Sequence, residues 1–251
     1  MPMSITSILV FACLVIAVLL GRASSQRLSP HHLTVETRDT IKLSLGLVAT
    51  MSALLLGLLV SSAKGAYDSQ RQQVDVLAAK VATLDRVLNL YGAESAAARE
   101  ALRATVENAI ARAWPQQAEA ASDLTPDFRS GDALYRAVQL LVPSDEMQGQ
   151  LKGKAADLTL ELAEGRALLL SRALVGVSTP LLLIVVTWLV LILFGFSVLA
   201  PRNVVATAAL TVAAAAVWGA ILLMLEYYEP FDGFIQISSD PMAAAISGIS
   251  N

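Results

Sequence analysis

The sequence has little of what most site chemistries need: one cysteine, two histidines and only 16% charged residues among 251. A single cysteine, Cys13, excludes an intrachain disulfide framework and a cysteine metal cluster. A net charge of −3 without a basic block argues against nucleic-acid binding. The sequence also lacks a phosphate-binding glycine loop, a nucleophile elbow and a metalloprotease helix motif. We therefore predict no enzyme, no cofactor, no metal and no nucleic-acid partner.

Charge is missing altogether from four stretches, residues 2–21, 43–63, 173–201 and 203–225. Each is long enough for a helix to cross a bilayer, which takes about 20 apolar residues. The rest of the chain has the charge density of a soluble protein, about 25%. We predict an all-α, multi-pass protein of the cell (inner) membrane, with the lipid bilayer as its first partner. Its four transmembrane helices are placed at residues 5–20, 43–62, 180–199 and 204–225.

The first span allows two interpretations. Small residues follow it at Ala23, Ser24 and Ser25, as they do at the cleavage site of a signal sequence. However, residues 1–4 contain no Lys or Arg, and this favours an uncleaved helix.

Short connections predict that the four spans pair as two helical hairpins, at residues 1–62 and 178–226. Between them, residues 63–177 form the one long polar segment, predicted to be an extramembrane helical bundle. Residues 227–251 would be a C-terminal tail with a short extended segment at 234–238, where apolar and polar residues alternate.

The bundle has a strong helical pattern. Two rows of residues repeat every seven positions and all but one are apolar, which is typical of a helix packing seam. No proline separates this seam from the second span, so we predict one continuous helix from about Arg38 to Leu90. The seam could pack within the chain, against another subunit, or both at once. Its residues are Tyr67, Val74, Val81 and Leu88, with Gln70, Leu77, Leu84 and Tyr91. Further helices are predicted near residues 94–114, 132–142 and 151–169.

Lys and Arg accumulate in short cytoplasmic connections. The first connection carries Arg22, Arg27, Arg38 and Lys42, whereas both terminal tails carry none. This asymmetry favours an extracytoplasmic bundle with both termini on the same side.

Small residues spaced four apart mark two spans. The second span has Ala49, Ala53 and Gly57. The fourth has Thr207, Thr211, Ala215 and Gly219. Such stripes allow close packing of helices, and they could also line an oligomeric pore, where small side chains leave room for an ion.

Polar residues at the membrane margins are further candidates. Before the second span, Thr37 or Thr34 could cap a helix that begins near Arg38, and Glu36 would lie beside the positive end of its dipole. Alternatively, His31, His32 and Glu36 could form a proton-sensitive site or, less in keeping with the lack of further ligands, a metal site. After the fourth span, Glu226 could pair with a cation or form a ring at a pore mouth. It is followed by Pro230, Phe231, Asp232 and Gly233, which predict a fixed turn.

Two segments resemble the bacterial bestrophin-like membrane proteins. One is Glu36 and Thr37 followed by the apolar span with Gly46, residues 54–57 and Tyr67. The other is the closing Pro230, Phe231 and Gly233 with Ile237 and Ser238.

The resemblance implies an oligomeric channel for small ions, with anions favoured, whose second span lines the pore. The candidate pore-lining residues are Gly46, Thr50, Ala53, Gly57 and Val60. It also implies a cytoplasmic bundle, contrary to the charge count. The alternative function is a non-conducting membrane scaffold or sensor whose helical bundle binds a partner protein.

Overall fold

A computed structural model describes residues 3–27, 34–114, 128–173, 178–201 and 203–249. Within these ranges the chain is all helical, without a strand. The helices are α1 (Met3–Arg27), α2 (Val35–Tyr91), α3 (Ala96–Ala113), α4 (Phe128–Gln139), α5 (Glu146–Ala173), α6 (Thr179–Leu199), α7 (Val204–Glu226) and α8 (Asp240–Ile249), with a short 3-10 turn at Ala93–Ser95.

Four helices in the described ranges are long and apolar enough to cross a membrane: α1, the first part of α2, α6 and α7. Their mean hydropathy over the most apolar 18 residues lies between 2.3 and 2.9. The predicted set of four apolar helices in an all-α protein is thereby confirmed.

Helix α2 is a single helix of 57 residues, about 85 Å long at 1.5 Å per residue. It begins where the Thr34 hydroxyl accepts a hydrogen bond from the backbone N–H of Thr37, 3.2 Å away. It ends at Gly92, whose φ of 118° lies in the region that glycine alone adopts easily. The prediction of one continuous helix from about Arg38 to Leu90 is confirmed.

The chain divides into two compact units. Unit 1 comprises residues 1–66 and 176–228, and unit 2 comprises residues 67–175 and 229–251. The boundary falls within α2, which contributes to both.

Unit 1 contains the apolar helices. Helix α1 packs against both α6 and α7. One close crossing is at Gly21, where a Cβ atom would lie 2.6 Å from the carbonyl oxygen of Phe194. Fully buried side chains from all four helices form the core, among them Leu14, Ala63, Val185 and Ile221.

Unit 2 is built on the seam of α2. All eight seam residues are buried within the chain, from Leu77 at 9% exposure to Leu84 and Leu88 at zero. They face neighbours in the same unit: Leu77 packs against Gly165 on α5, where a Cβ atom would lie 2.7 Å from the Leu77 side chain. The intrachain interpretation of the seam is confirmed.

The C-terminal residues fold back onto unit 2. The backbone N–H of Ile237 donates to the carbonyl of Pro230 at 2.8 Å, closing a loop. Helix α8 follows, with Met242, Ala245 and Ile249 buried against the unit. This helix has no counterpart among the predicted elements.

Candidate functional site

The candidate pore face of α2 is open in the single chain. Thr50, Ala53 and Gly57 are exposed, and a Cβ atom added at Gly46 or Gly57 would meet nothing within 4 Å. Only 11% of the most apolar window of α2 is buried, against 22–33% for the other three apolar helices. Among the four apolar helices, α2 is therefore the one whose apolar window is least buried.

The opposite side of α2 packs into the core of unit 1, which leaves the candidate face uncovered. Ser52, Leu59 and Ala63 are buried and point to the core of unit 1. Val60, predicted to line a pore, lies at the edge and packs partly against the same core. The structure thus brings four of the five candidates together on one uncovered face.

The four candidate residues on the uncovered face, Gly46, Thr50, Ala53 and Gly57, are small and uncharged. The one hydroxyl among them, on Thr50, donates to the carbonyl of Gly46 at 3.0 Å. The oxygen keeps lone pairs that can still accept a hydrogen bond. Such a surface offers an ion few polar contacts.

The N-terminal margin of α2 forms a helix cap. Thr34 supplies the cap, while Glu36, Thr37 and Arg38 are exposed in the first turn. Glu36 lies near the positive end of the helix dipole, as a capping role predicts. His31 and His32 lie outside the described residues.

At the end of α7, a lysine side chain lies beside an aromatic ring. Glu226 is the last residue of α7 and is half-buried. The ammonium group of Lys64 lies 5.8 Å from the ring centroid of Tyr227, within range of a cation–π interaction.

The C-terminal motif residues form a packed turn. Phe231 is buried, and its ring meets that of Trp114 edge-on with centroids 5.3 Å apart. The indole N–H of Trp114 donates to the carbonyl of Ile237 at 2.7 Å. Gly233 has a φ of 93°, and the amide of Asp232 donates to the carbonyl of Glu229. Phe231, Asp232 and Gly233 thus all help to stabilise the C-terminal loop.

The structure also reveals a contact that sequence reasoning missed. The Arg22 guanidinium donates to the carbonyls of Pro201 and Asn203, and to the hydroxyl of Thr207. It ties the end of α1 to the turn between α6 and α7. Thr207 belongs to the small-residue stripe of α7, in which Thr211 and Ala215 are exposed.

Across the described part of the chain, no cluster of three or more His, Cys, Asp or Glu side chains is arranged to hold a metal ion. The candidate residues that the structure describes lie in four places: the uncovered face of α2, the start of α2, the end of α7 and the C-terminal loop.

Comparisons with known proteins agree with this architecture. A search of curated proteins finds none that matches the chain. Among solved structures, the crystal structure of a mutated bacterial bestrophin homologue from Klebsiella pneumoniae is similar, with a TM-score of 0.62 at 15% identity. The alignment covers 99% of this chain and 97% of that one, so the two share a fold. The sequence model of the Bestrophin-like domain matches residues 12–242. The chain therefore belongs to the Bestrophin-like family of membrane proteins.

Proposed function

We propose that the protein is a homo-oligomeric channel for small ions, with the uncovered face of α2 lining the pore. The observation that carries this proposal is the open row of Gly46, Thr50, Ala53 and Gly57 on the least covered apolar helix. A ring of subunits would surround its axis with small side chains and leave space for ions.

The ion class is proposed from the family alone. The chain belongs to the Bestrophin-like family, and bestrophins are anion channels, so we favour anions.

Flux measurements on purified protein in liposomes test conduction. We expect chloride flux and a reversal potential under a KCl gradient close to that of an anion-selective pore. A reversal potential of the opposite sign would indicate cation selectivity, which contradicts the anion preference but agrees with ion conduction. Absence of any flux across a range of pH, from protein that is folded and oligomeric, would favour the scaffold or sensor alternative.

Cysteine accessibility tests the pore face itself. In a background with the single native cysteine replaced, Cys13→Ser, we expect Ala53→Cys and Gly57→Cys to react with a water-soluble thiol reagent and to lose flux. Leu183→Cys is the matched control, because Leu183 on α6 is 66% exposed but would face lipid. Equal reactivity at all three positions would contradict a pore along α2.

A second pair of variants removes a hydroxyl without changing shape. Thr50 and Thr187 are both exposed, and each donates to the carbonyl four residues earlier. We expect Thr50→Val to change conductance or selectivity and Thr187→Val to leave both unchanged.

The oligomeric state, measured by native mass spectrometry, should be a closed ring, and a strict monomer would contradict the proposal.

For orientation, we retain the proposal that the predicted bundle and both termini are extracytoplasmic. It rests on the Lys and Arg residues of the first connection.

A further inference from the structure

Unit 2 contains a cavity that the proposed pore does not use. Its volume is about 590 Å³, and its walls come from α2, α3, α4, α5 and the C-terminal residues. This volume is within the range of small-molecule sites, about 300–1,000 Å³. The lining side chains range from Leu102, which is fully buried, to Leu160, which is 50% exposed. The cavity therefore extends from the core of unit 2 to its surface.

Small side chains leave this space between the helices. Helix α3 contributes Ala109 and Ala113 to the lining, and α5 contributes Ala163 and Ala167. In each helix the two alanines are four residues apart, so they share one face. Side chains larger than alanine at these positions would extend into the space and close it.

The hydroxyl groups in the walls are already bonded. The Thr105 hydroxyl donates to the carbonyl of Ala101 at 2.7 Å, and the Thr159 hydroxyl donates to that of Ala155 at 2.8 Å. A stable buried water makes about two to four hydrogen bonds, and such walls provide few partners. An apolar molecule would contact them more favourably than water does.

The walls also offer no charge to a ligand. Arg112 and Arg166 line the cavity, but each already has an interaction within the protein. Asp132, the one acidic residue among the described lining residues, is exposed. An ionic ligand would therefore lose its hydration in the cavity without gaining a partner. In the described part of the chain, the buried side-chain atoms without a hydrogen-bond partner all lie outside the lining, on Gln70, Gln73 and Tyr91.

We propose that this cavity binds an uncharged molecule with a single hydrocarbon chain, such as a long-chain alcohol. The lining residues of α5 run from Leu160 to Ser171, about 16 Å along the helix axis, so the space is elongated. At roughly 30 Å³ for each water-sized group, it holds about 20 heavy atoms. Dodecanol is smaller than this limit, so both of its ends fit within the cavity, whereas a lipid with two chains does not fit.

Trp114 provides a reporter, because it lines the cavity. The other two tryptophans, Trp188 and Trp218, lie on the apolar helices α6 and α7. Replacing both by phenylalanine leaves Trp114 as the only indole in the full-length protein. With this variant in lipid nanodiscs, we expect brominated dodecanol to quench Trp114 fluorescence along a saturable curve that unlabelled dodecanol reverses. Quenching that stays linear would show partition into lipid only and would overturn the proposal.

A pair of substitutions on α3 separates binding in the cavity from binding elsewhere. Ala109→Phe places a ring in the cavity, and Ala111→Phe is the matched control, because Ala111 is exposed on the same helix outside the lining. We expect saturable quenching to be abolished by the first substitution and unchanged by the second. Ala167→Phe fills the cavity from α5 and takes the place of Ala109→Phe if that variant does not fold. Equal saturable quenching in the filled and control variants would overturn the assignment to this cavity.

The parent protein, with all its tryptophans, provides a second measurement. A ligand that binds only the folded state stabilises it, so we expect dodecanol to raise the thermal unfolding temperature of the parent and of Ala111→Phe but not of Ala109→Phe. The same shift in all three proteins would contradict binding in the cavity. Neither measurement uses ion flux, so the result does not depend on the proposed pore.

A charged ligand of the same chain length tests the uncharged assignment. We expect dodecanoate at alkaline pH to displace brominated dodecanol at least about tenfold more weakly than dodecanol does, because the carboxylate gains no partner for its lost hydration. Equal displacement by the alcohol and the carboxylate would overturn the preference for an uncharged ligand.

Discussion

Ser197 on α6 donates its hydroxyl hydrogen bond to the backbone carbonyl of Val18 on α1, at 2.7 Å, with both residues buried. One turn further along α1, Gly21 lies against Phe194 and Ser197. The two helices approach this closely because one of them has no side chain at the crossing.

Gly21→Ala should therefore destabilise unit 1. The new Cβ would lie 2.6 Å from the Phe194 carbonyl oxygen and 2.7 Å from the Ser197 Cβ, so the helices must separate. We expect a loss of about 1–3 kcal/mol, seen as a lower unfolding temperature in mild detergent. Gly219→Ala on α7 is the control, since its Cβ would meet nothing within 4 Å. Equal effects of the two substitutions would show that this crossing is not tight.

Two glycines near the C-terminus should respond to alanine with opposite signs. Gly233 has a φ of 93°, so Gly233→Ala should cost about 1–2 kcal/mol. Gly248 lies in α8 with open space around it, and Gly248→Ala should stabilise by up to about 1 kcal/mol. Chemical denaturation of the two variants checks the difference, and a stabilising Gly233→Ala would contradict the turn.

Arg99 joins three elements of unit 2. It donates to the Asp85 carboxylate on α2 at 2.7 Å and to the carbonyl of Ile249 on α8 at 2.9 Å. Both side chains of the ion pair are mostly buried, at 24% and 13% exposure. A double-mutant cycle with Arg99→Gln and Asp85→Asn should give a coupling energy of about 1–3 kcal/mol.

The exposed pair of Arg103 and Glu107 is the control for that cycle. Its side chains are 43% and 50% exposed, so the coupling energy should be below about 0.5 kcal/mol. Coupling energies of equal size in both cycles would show that burial does not strengthen the Arg99 pair.

The hydroxyl of Tyr91 is buried without a hydrogen-bond partner among the described residues. Burial, and then the carboxylates of Glu94 and Asp145, raise the pKa of this phenol. The folded state thus favours the neutral form, so this contribution to stability is present below pH 10 and is lost as pH rises through the raised pKa. We expect Tyr91→Phe to be at least as stable as the parent at neutral pH, and to lose less stability above pH 10. Thermal unfolding across that range measures both, and a marked loss of stability at neutral pH would reveal a partner for the hydroxyl.

Reporter fusions test the proposed orientation. Alkaline phosphatase fused to the C-terminus should be active and a fluorescent protein fused there should be dark, because the positive charges of the first connection favour an extracytoplasmic C-terminus. Fluorescence without phosphatase activity would place the C-terminus in the cytoplasm and overturn this orientation.

Local periodicity was enough to predict most of the helices. The seam of α2 repeats from Tyr67 to Leu88 in steps of seven. A repeat of that kind arises wherever one side of a helix packs against apolar side chains, whatever the rest of the fold is. Helix α8 was missed because it is short and begins at Asp240, after a segment whose alternation favours an extended chain. Its contacts with the rest of unit 2 are long-range, such as the bond from Arg99 to Ile249, which joins residues 150 positions apart.

The candidate site was predictable where spacing alone defines it. Ala53 and Gly57 share a face because they are four residues apart on a helix. The link from Arg22 to Pro201 spans 179 positions, and the link from Trp114 to Ile237 spans 123. Neither link could be predicted from the local sequence. Every residue has a backbone carbonyl, so the accepting residue cannot be recognised by its type.

Because the seam of α2 is filled by its own chain, substitutions on the two sides of this helix should produce different defects. A polar residue at Leu84 or Leu88, both fully buried, should prevent the protomer from folding at all. A bulky residue at Ala53 or Gly57 should leave the protomer folded and alter only its assembly or transport. A mutational scan that records cellular abundance and ion flux separately should therefore find two sets of positions on α2. Substitutions in one set should lower abundance, and substitutions in the other should change ion flux at normal abundance.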